Sequence, residues 1–154
     1  MVKTLCGFND VPGGATGCEL LVGLGPTLFV NIGFDPNFDP KTAKAPPVPS
    51  VTGIRALVDT GASESCIDAL LAAQLNLPIV DQRPVSGVGG QHIVNMHMAQ
   101  VFAPSLNFWV YGLFAGVNLA AGGQPHQALI GRTFLRHFTM IYEGRTGTVT
   151  ITNE

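Results

Sequence analysis

The segment Asp59-Thr60-Gly61-Ala62-Ser63 sets a carboxylate, a hydroxyl able to hydrogen-bond it and a glycine side by side. Ile54-Arg55-Ala56-Leu57-Val58, just before it, reads as a short apolar strand. Gly61 permits a tight turn, so the carboxylate is expected at the strand's end, facing a surface groove rather than the core. A carboxylate held in a groove can take a proton from water or give one to a substrate. An ordinary exposed turn would carry the same letters, and the rest of the chain has to separate the two readings.

About seventy residues later comes Ala128-Leu129-Ile130-Gly131-Arg132, and between the two lies Ser86-Gly87-Val88-Gly89-Gly90. With these three segments in this order, residues 26 to 152 resemble the retropepsin-like aspartic proteases, the single-domain relatives of pepsin and of the retroviral proteases. The resemblance implies an all-β fold, the closed barrel of the acid proteases with one or two short helices. It makes Asp59, Thr60 and Gly61 the catalytic loop, and Gly87, Val88 and Gly89 a flap over the substrate. Gly131 and Arg132 become structural residues beneath the loop, leading into a short helix. Ala62, Val88, Leu129 and Ile130 are the candidates for lining apolar substrate pockets.

That chemistry requires two carboxylates sharing one proton. One draws a proton from water while the other donates to the substrate carbonyl, and like charges so close titrate as a pair. Asp10, Asp35, Asp39, Asp68 and Asp81 are not followed by Thr-Gly or Ser-Gly. The second carboxylate is therefore expected from Asp59 of another copy, across an isologous twofold interface. Thr60 would hydrogen-bond across that axis, as in the family. The alternating Thr148-Val149-Thr150-Ile151-Thr152 would leave an exposed edge in a monomer. The resemblance assigns it to a sheet shared by interleaved terminal strands of the two subunits.

The elements needed to hold such a site are legible in outline. Thr27 to Phe34 reads as a strand with Leu28, Val30 and Ile32 on one face, and Val51 to Val58 as the strand entering the turn. Ser65 is placed to cap a helix carrying Ile67, Leu70, Leu71 and Leu75, stopped by Asn76 and Pro78. Pro84 to Phe102 reads as a hairpin turning at the glycines. Leu106 to Leu119 and Ala128 to Ile130 supply further strand, Thr133 to His137 a short helix, and Thr139 to Ile151 a hairpin around Glu143-Gly144-Arg145-Thr146-Gly147. Residues 1–25 are Gly-rich and without a clear element, with a dimer-interface strand as one use for them. Residues 26–154 form the domain, with 35–50, holding five prolines, as an exposed loop inserted into it.

Composition narrows the alternatives. The 154 residues suit one domain, and only 12% are charged, against about 25% in ordinary globular chains. So little charge implies extensive buried surface, a subunit interface included. A net charge of −2 offers no basic patch for nucleic acid or a membrane. No Asp, Glu, Lys or Arg falls between Arg83 and Arg132. Leu106 to Gly123 inside that span approaches the length of a membrane helix, yet its four glycines and flanking prolines favour strands buried on both faces. Cys6, Cys18 and Cys66 are odd in number and lack C-x-x-C spacing, which implies reduced thiols and a cytoplasmic protein. His92 and His97 are five apart, the wrong phase for a metal pair on one strand, so no metal and no cofactor is expected.

The sequence departs from the retroviral pattern at Ser63, where an acidic residue is usual. Arg132 then needs another partner, and Glu64 or Asp68 is the expected one. The reading is an aspartic endopeptidase that binds an extended peptide. The alternative is a binding module that keeps the fold without the chemistry.

Overall fold

Strand alternation and a register shift after Val30 close this chain into a barrel. The computed structural model describes residues 1–87 and 89–154. In chain order these form β1 (Lys3–Leu5), α1 (Gly17–Leu24), β2 (Thr27–Gly33), β3 (Val51–Val58), β4 (Cys66–Asp68) and α2 (Ala69–Gln74). There follow β5 (Ile79–Gly87), β6 (Gly90–Ala103), β7 (Phe108–Val117), β8 (Ala128–Ile130), α3 (Arg132–Leu135), β9 (Thr139–Glu143) and β10 (Thr148–Thr152).

Strands β2, β3, β8, β4, β7 and β6 pair in that order, and β6 returns to β2, so six strands form a closed ring. Closure is made at Asn31. As far as Val30, β2 pairs antiparallel with β3; its register then shifts, and Asn31, Ile32 and Gly33 lie opposite Phe102, Val101 and Gln100 of β6. A bulge bends a strand and raises its local twist, which a small barrel needs in order to shut. The Asn31 side-chain oxygen accepts the N–H of Gly53, whose φ of 68° a side chain would strain.

Leu28, Val30 and Ile32 are buried on one face of β2, as their alternation requires, and meet Ile54, Ala56, Val58, Ile67, Val101, Phe114 and Ile130 in the core. The charge-free run between Arg83 and Arg132 supplies β6 and β7, which pair over eight residues. Among the described residues, no helix is long and apolar enough to cross a membrane. The insertion after β2 is fastened to the barrel rather than splayed from it. Buried Gln100 accepts from the Asp35 N–H at 2.6 Å and donates to the Asp35 carbonyl at 3.0 Å, while Phe38 packs edge-on against Trp109.

Three expectations are corrected. First, α1 occupies a stretch with no predicted element. Thr16 caps it by accepting the Glu19 N–H at 3.1 Å, and Gly25 closes it with φ 75°. The signal was the Thr-x-x-Glu spacing, masked by the surrounding glycines. Second, the helix after the Asp59 turn is shorter than its apolar spacing suggested. Ile67 lies in β4, and Asp68, not Ser65, is the cap of α2. Third, β10 is not an open edge. It is the middle strand of a separate sheet ordered β1-β10-β9, with Lys3, Thr4 and Leu5 opposite Thr152, Ile151 and Thr150. The chain's own amino-terminal strand covers the edge that a partner's tail was expected to cover.

Candidate active site

Asp59 stands where the parallel pair β3 and β8 ends. Leu57 and Val58 lie opposite Leu129 and Ile130, and the Asp59 N–H donates to the Ile130 carbonyl at 2.9 Å. The chain then turns sharply. Gly61 N–H donates to Asp59 Oδ1 at 2.8 Å, and Ala62 N–H to the Asp59 carbonyl at 3.3 Å. Oδ1 is thus tied to the turn, while Oδ2 accepts no hydrogen bond among the described residues. Asp59 is half-buried and Thr60 and Gly61 are exposed, so the carboxylate sits at the surface and not in the core.

Gly131 and Arg132 hold this turn from beneath. The N–H groups of Arg132 and Thr133 donate to the carbonyls of Ala62 and Ser63 at 2.9 and 3.0 Å. Arg132 Nη1 donates to the Thr60 carbonyl at 2.7 Å, so the guanidinium is satisfied by main chain and not by the expected Glu64 or Asp68. Asp68 is committed elsewhere: it is buried, and its oxygens accept the N–H groups of Leu71, Leu119 and Ala120. Ser65, displaced from its expected cap, accepts the Gly131 N–H at 3.0 Å. A Cβ on Gly131 would stand 2.5 Å from the Glu64 carbonyl oxygen and 2.9 Å from that of Ala62, so only glycine lets the two segments approach this closely.

Cys66 lies behind the turn on β4. Burial, with the Asp59 and Glu64 carboxylates adding to it, pushes its thiol up to about 11. At neutral pH it is a protonated thiol, the wrong species for a nucleophile.

The structure separates the two apolar candidates on β8. Leu129 is half-buried and stays available to a ligand. Ile130 is 1% exposed and packs into the core, so it offers no wall to a substrate; strand alternation sends neighbouring side chains to opposite faces. Ala62 is half-buried in the turn itself. Gly87 and Gly89 are exposed at the end of the β5–β6 hairpin, whose pairing runs to Gly87 opposite Gly90. Val88, the expected flap tip, lies outside the described residues. Ile93, 75% exposed on the same hairpin, was missed. An apolar residue this bare on a glycine hairpin was the available signal. A cavity of about 570 Å³ lies between this hairpin and Gly116-Val117-Asn118, walled by Val85, Val94 and Asn95 among others.

The histidines scatter. His97 is buried with Nδ1 3.1 Å from the Leu77 carbonyl, and His126 Nε2 meets Thr27 Oγ1 at 2.8 Å. Among the described residues, no three His, Cys, Asp or Glu side chains gather as a metal site would.

Known proteins bear on this arrangement. A comparison with curated proteins finds no match. The solved structure of the EIAV protease complexed with the inhibitor HBY-793 is similar, at 19% identity and a TM-score of 0.44, over 72% of this chain and 85% of that one. The family model described as aspartyl protease matches residues 51–134, from the first residue of β3 into α3. That span is more than half of the chain and contains the Asp59 turn, the β5–β6 hairpin and the Gly131-Arg132 support: the chain belongs to the aspartyl protease family.

Proposed function

We propose that this chain is an endopeptidase that hydrolyses peptide bonds as a homodimer, with residues 26–154 as its protease unit. Water is held between the Asp59 carboxylates of two copies. The ionised one takes a proton from the water as it attacks the scissile carbonyl, and the protonated one gives its proton to the carbonyl oxygen. As the tetrahedral intermediate collapses, the carboxyl that took the water's proton gives it to the leaving nitrogen, and the other carboxylate takes its proton back from the former carbonyl oxygen. Thr60 bonds across the twofold axis, and Gly61 holds one oxygen of each carboxylate. The substrate lies as an extended strand beneath the flap, paired to backbone groups near Gly87 and Gly89, with Ala62 and Leu129 against its side chains.

The observation that carries this reading is the half-used carboxylate of Asp59. It is fixed through Oδ1 by its own turn and braced from below by Gly131 and Arg132, with Oδ2 free at the surface. Family membership supports the chemistry. The three unpaired cysteines support a reducing compartment, and with it a cytoplasmic location.

Asp59→Asn tests the proposal. Cleavage of a denatured protein mixture should fall by at least about 10²-fold, since a positioned acid–base group is worth that much or more. A statine-type inhibitor should abolish the activity of the unmodified chain. An Asn variant that cleaves as fast as the parent would end the reading, and a folded chain without cleavage or inhibitor binding would favour a binding module.

A further inference from the structure

A cavity of about 460 Å³ lies where β1 and the end of α1 meet β2 and β3. The alternation that buries Val30, Ile54 and Ala56 turns Phe29 and Arg55 outward, and these two lie opposite each other in the ladder. Leu5, Leu24 and Phe29 line the cavity and are 68%, 41% and 55% exposed. Large apolar side chains left bare around one hollow of this size are the mark of a binding site.

Its polar groups are open in a particular way. Arg55 brings a positive charge to the wall, no Asp or Glu lines the cavity, and among the described residues Arg55 joins no ion pair. His126, 2% exposed, is a second wall residue. Thr27 Oγ1 donates to the Gly25 carbonyl at 3.1 Å and so accepts from His126 Nε2–H at 2.8 Å. Nδ1 is thereby left a buried acceptor without a partner. Burial, and then the nearby Arg55 charge, lowers the pKa of this ring, which keeps it in the neutral, accepting form. The main chain adds a further pair of open groups. Cys6 N–H donates to the Val149 carbonyl and Asn153 N–H to the Val2 carbonyl, so the even-numbered residues of β1 face β10. Leu5 turns its N–H and carbonyl the other way, where neither has a partner among the described residues.

We infer that this cavity binds the carboxyl terminus of a peptide whose last residue is large and apolar. The terminal carboxylate lies at Arg55, whose guanidinium offers paired N–H donors. The last side chain rests among Leu5, Leu24 and Phe29. The last amide N–H donates to His126 Nδ1, and the peptide bond before it pairs with the open main-chain groups of Leu5. Every peptide carries its terminal carboxylate next to an amide N–H, an acceptor beside a donor. That is the complement of a wall that sets the Arg55 donors near the His126 acceptor. A fatty acid brings the carboxylate without the donor, and a free amino acid brings a second cation toward Arg55. The site needs neither Asp59 nor a second copy of the chain, so it stands apart from the proposed hydrolysis.

Titration of the full chain with N-acetyl-alanyl-leucine, followed by calorimetry and by the nitrogen resonance of His126 Nδ1, tests the site. The acid should bind once per chain with a Kd below about 1 mM and should move that resonance. Its carboxy-terminal amide should bind about tenfold more weakly or worse, and so should the analogue with an ester oxygen in place of the last N–H. Arg55→Gln should bring the acid down to the level of the amide. The same variant should leave amide binding, thermal unfolding and cleavage unchanged, because Arg55 is exposed and lies outside the Asp59 turn. A statine-type inhibitor should not displace the acid. Equal affinity for acid and amide, or no saturation by about 10 mM, would overturn the site. An ester analogue that binds as tightly as the acid would overturn the peptide reading in favour of a simple carboxylic acid. Displacement by the inhibitor would put the peptide at Asp59 and overturn the separate cavity.

Discussion

Asp59 and Asp68 are carboxylates committed to very different degrees. Asp68, which accepts three backbone bonds, is a structural joint, whereas Asp59 spends a single oxygen on its own turn and leaves the other open, as the proposed chemistry requires. The contrast yields two residue-scale predictions. Asp68→Ala should leave the buried N–H groups of Leu71 and Leu119 and the part-buried one of Ala120 unpaired, at a cost on the order of 3 kcal/mol. That corresponds to a fall in Tm of roughly 6–12 °C by thermal unfolding. Gly131→Ala should force the Glu64 and Ala62 carbonyls aside, costing about 2 kcal/mol by denaturant titration and lowering activity further, because the strain falls on the Asp59 turn. His126 makes a third case. Thr27 Oγ1 already donates to the Gly25 carbonyl, so it accepts from His126 Nε2–H, and Nδ1 is left a bare, buried lone pair. Burial, and then the Arg55 charge, lowers its pKa from 6.5. A depressed folded value means that the neutral ring favours folding above about pH 6.5, and that this stability is lost as pH falls from there through the folded value. Tm should therefore drop between about pH 7 and pH 5, with a shallower slope in His126→Gln.

At the scale of elements, the short pieces are those whose partners matter most. Strands β4 and β8 have three residues each, and α3 has four. None would persist alone, because a few hydrogen bonds cannot offset the entropy of ordering them. They hold because β8 is wedged between β3 and β4, and because the first N–H groups of α3 donate to carbonyls of the Asp59 turn. The long hairpin of β5 and β6 is the opposite case. Its base is closed by β7 and the barrel, and its end carries bare residues such as Ile93 and His92. That gradient from packed base to exposed end suits a part that moves over a bound strand.

On the scale of the molecule, two sheets divide the work. The barrel presents the turn, and the small sheet of β1, β10 and β9 gathers both ends of the chain at one place. Because β1 already covers β10, a partner cannot interleave its tail there without displacing it. Two cavities are not lined by Asp59, one of about 570 Å³ at the β5–β6 hairpin and one of about 460 Å³ against β1, β2 and the buried His126. On the proposed reading, two copies build the cleft over the carboxylate together, and the rate of cleavage per chain should rise with protein concentration.

What the residues alone determined was local. The turn at Asp59-Thr60-Gly61, the alternation of β2, the glycine hairpin and the breaks at Asn76 and Pro78 each depend on a few neighbouring side chains and their backbone preferences. They were legible for that reason. Tertiary structure decided every question of partner choice: that Arg132 would hold the Thr60 carbonyl, that Asp68 would take the cap from Ser65, that Ile130 would face inward, and that β1 would reach β10 before any second copy could. A hydrogen bond between residues 72 apart, or a strand pairing across 147, is selected by which groups packing brings within 3 Å and leaves unsatisfied, and no window of sequence contains both ends of that competition.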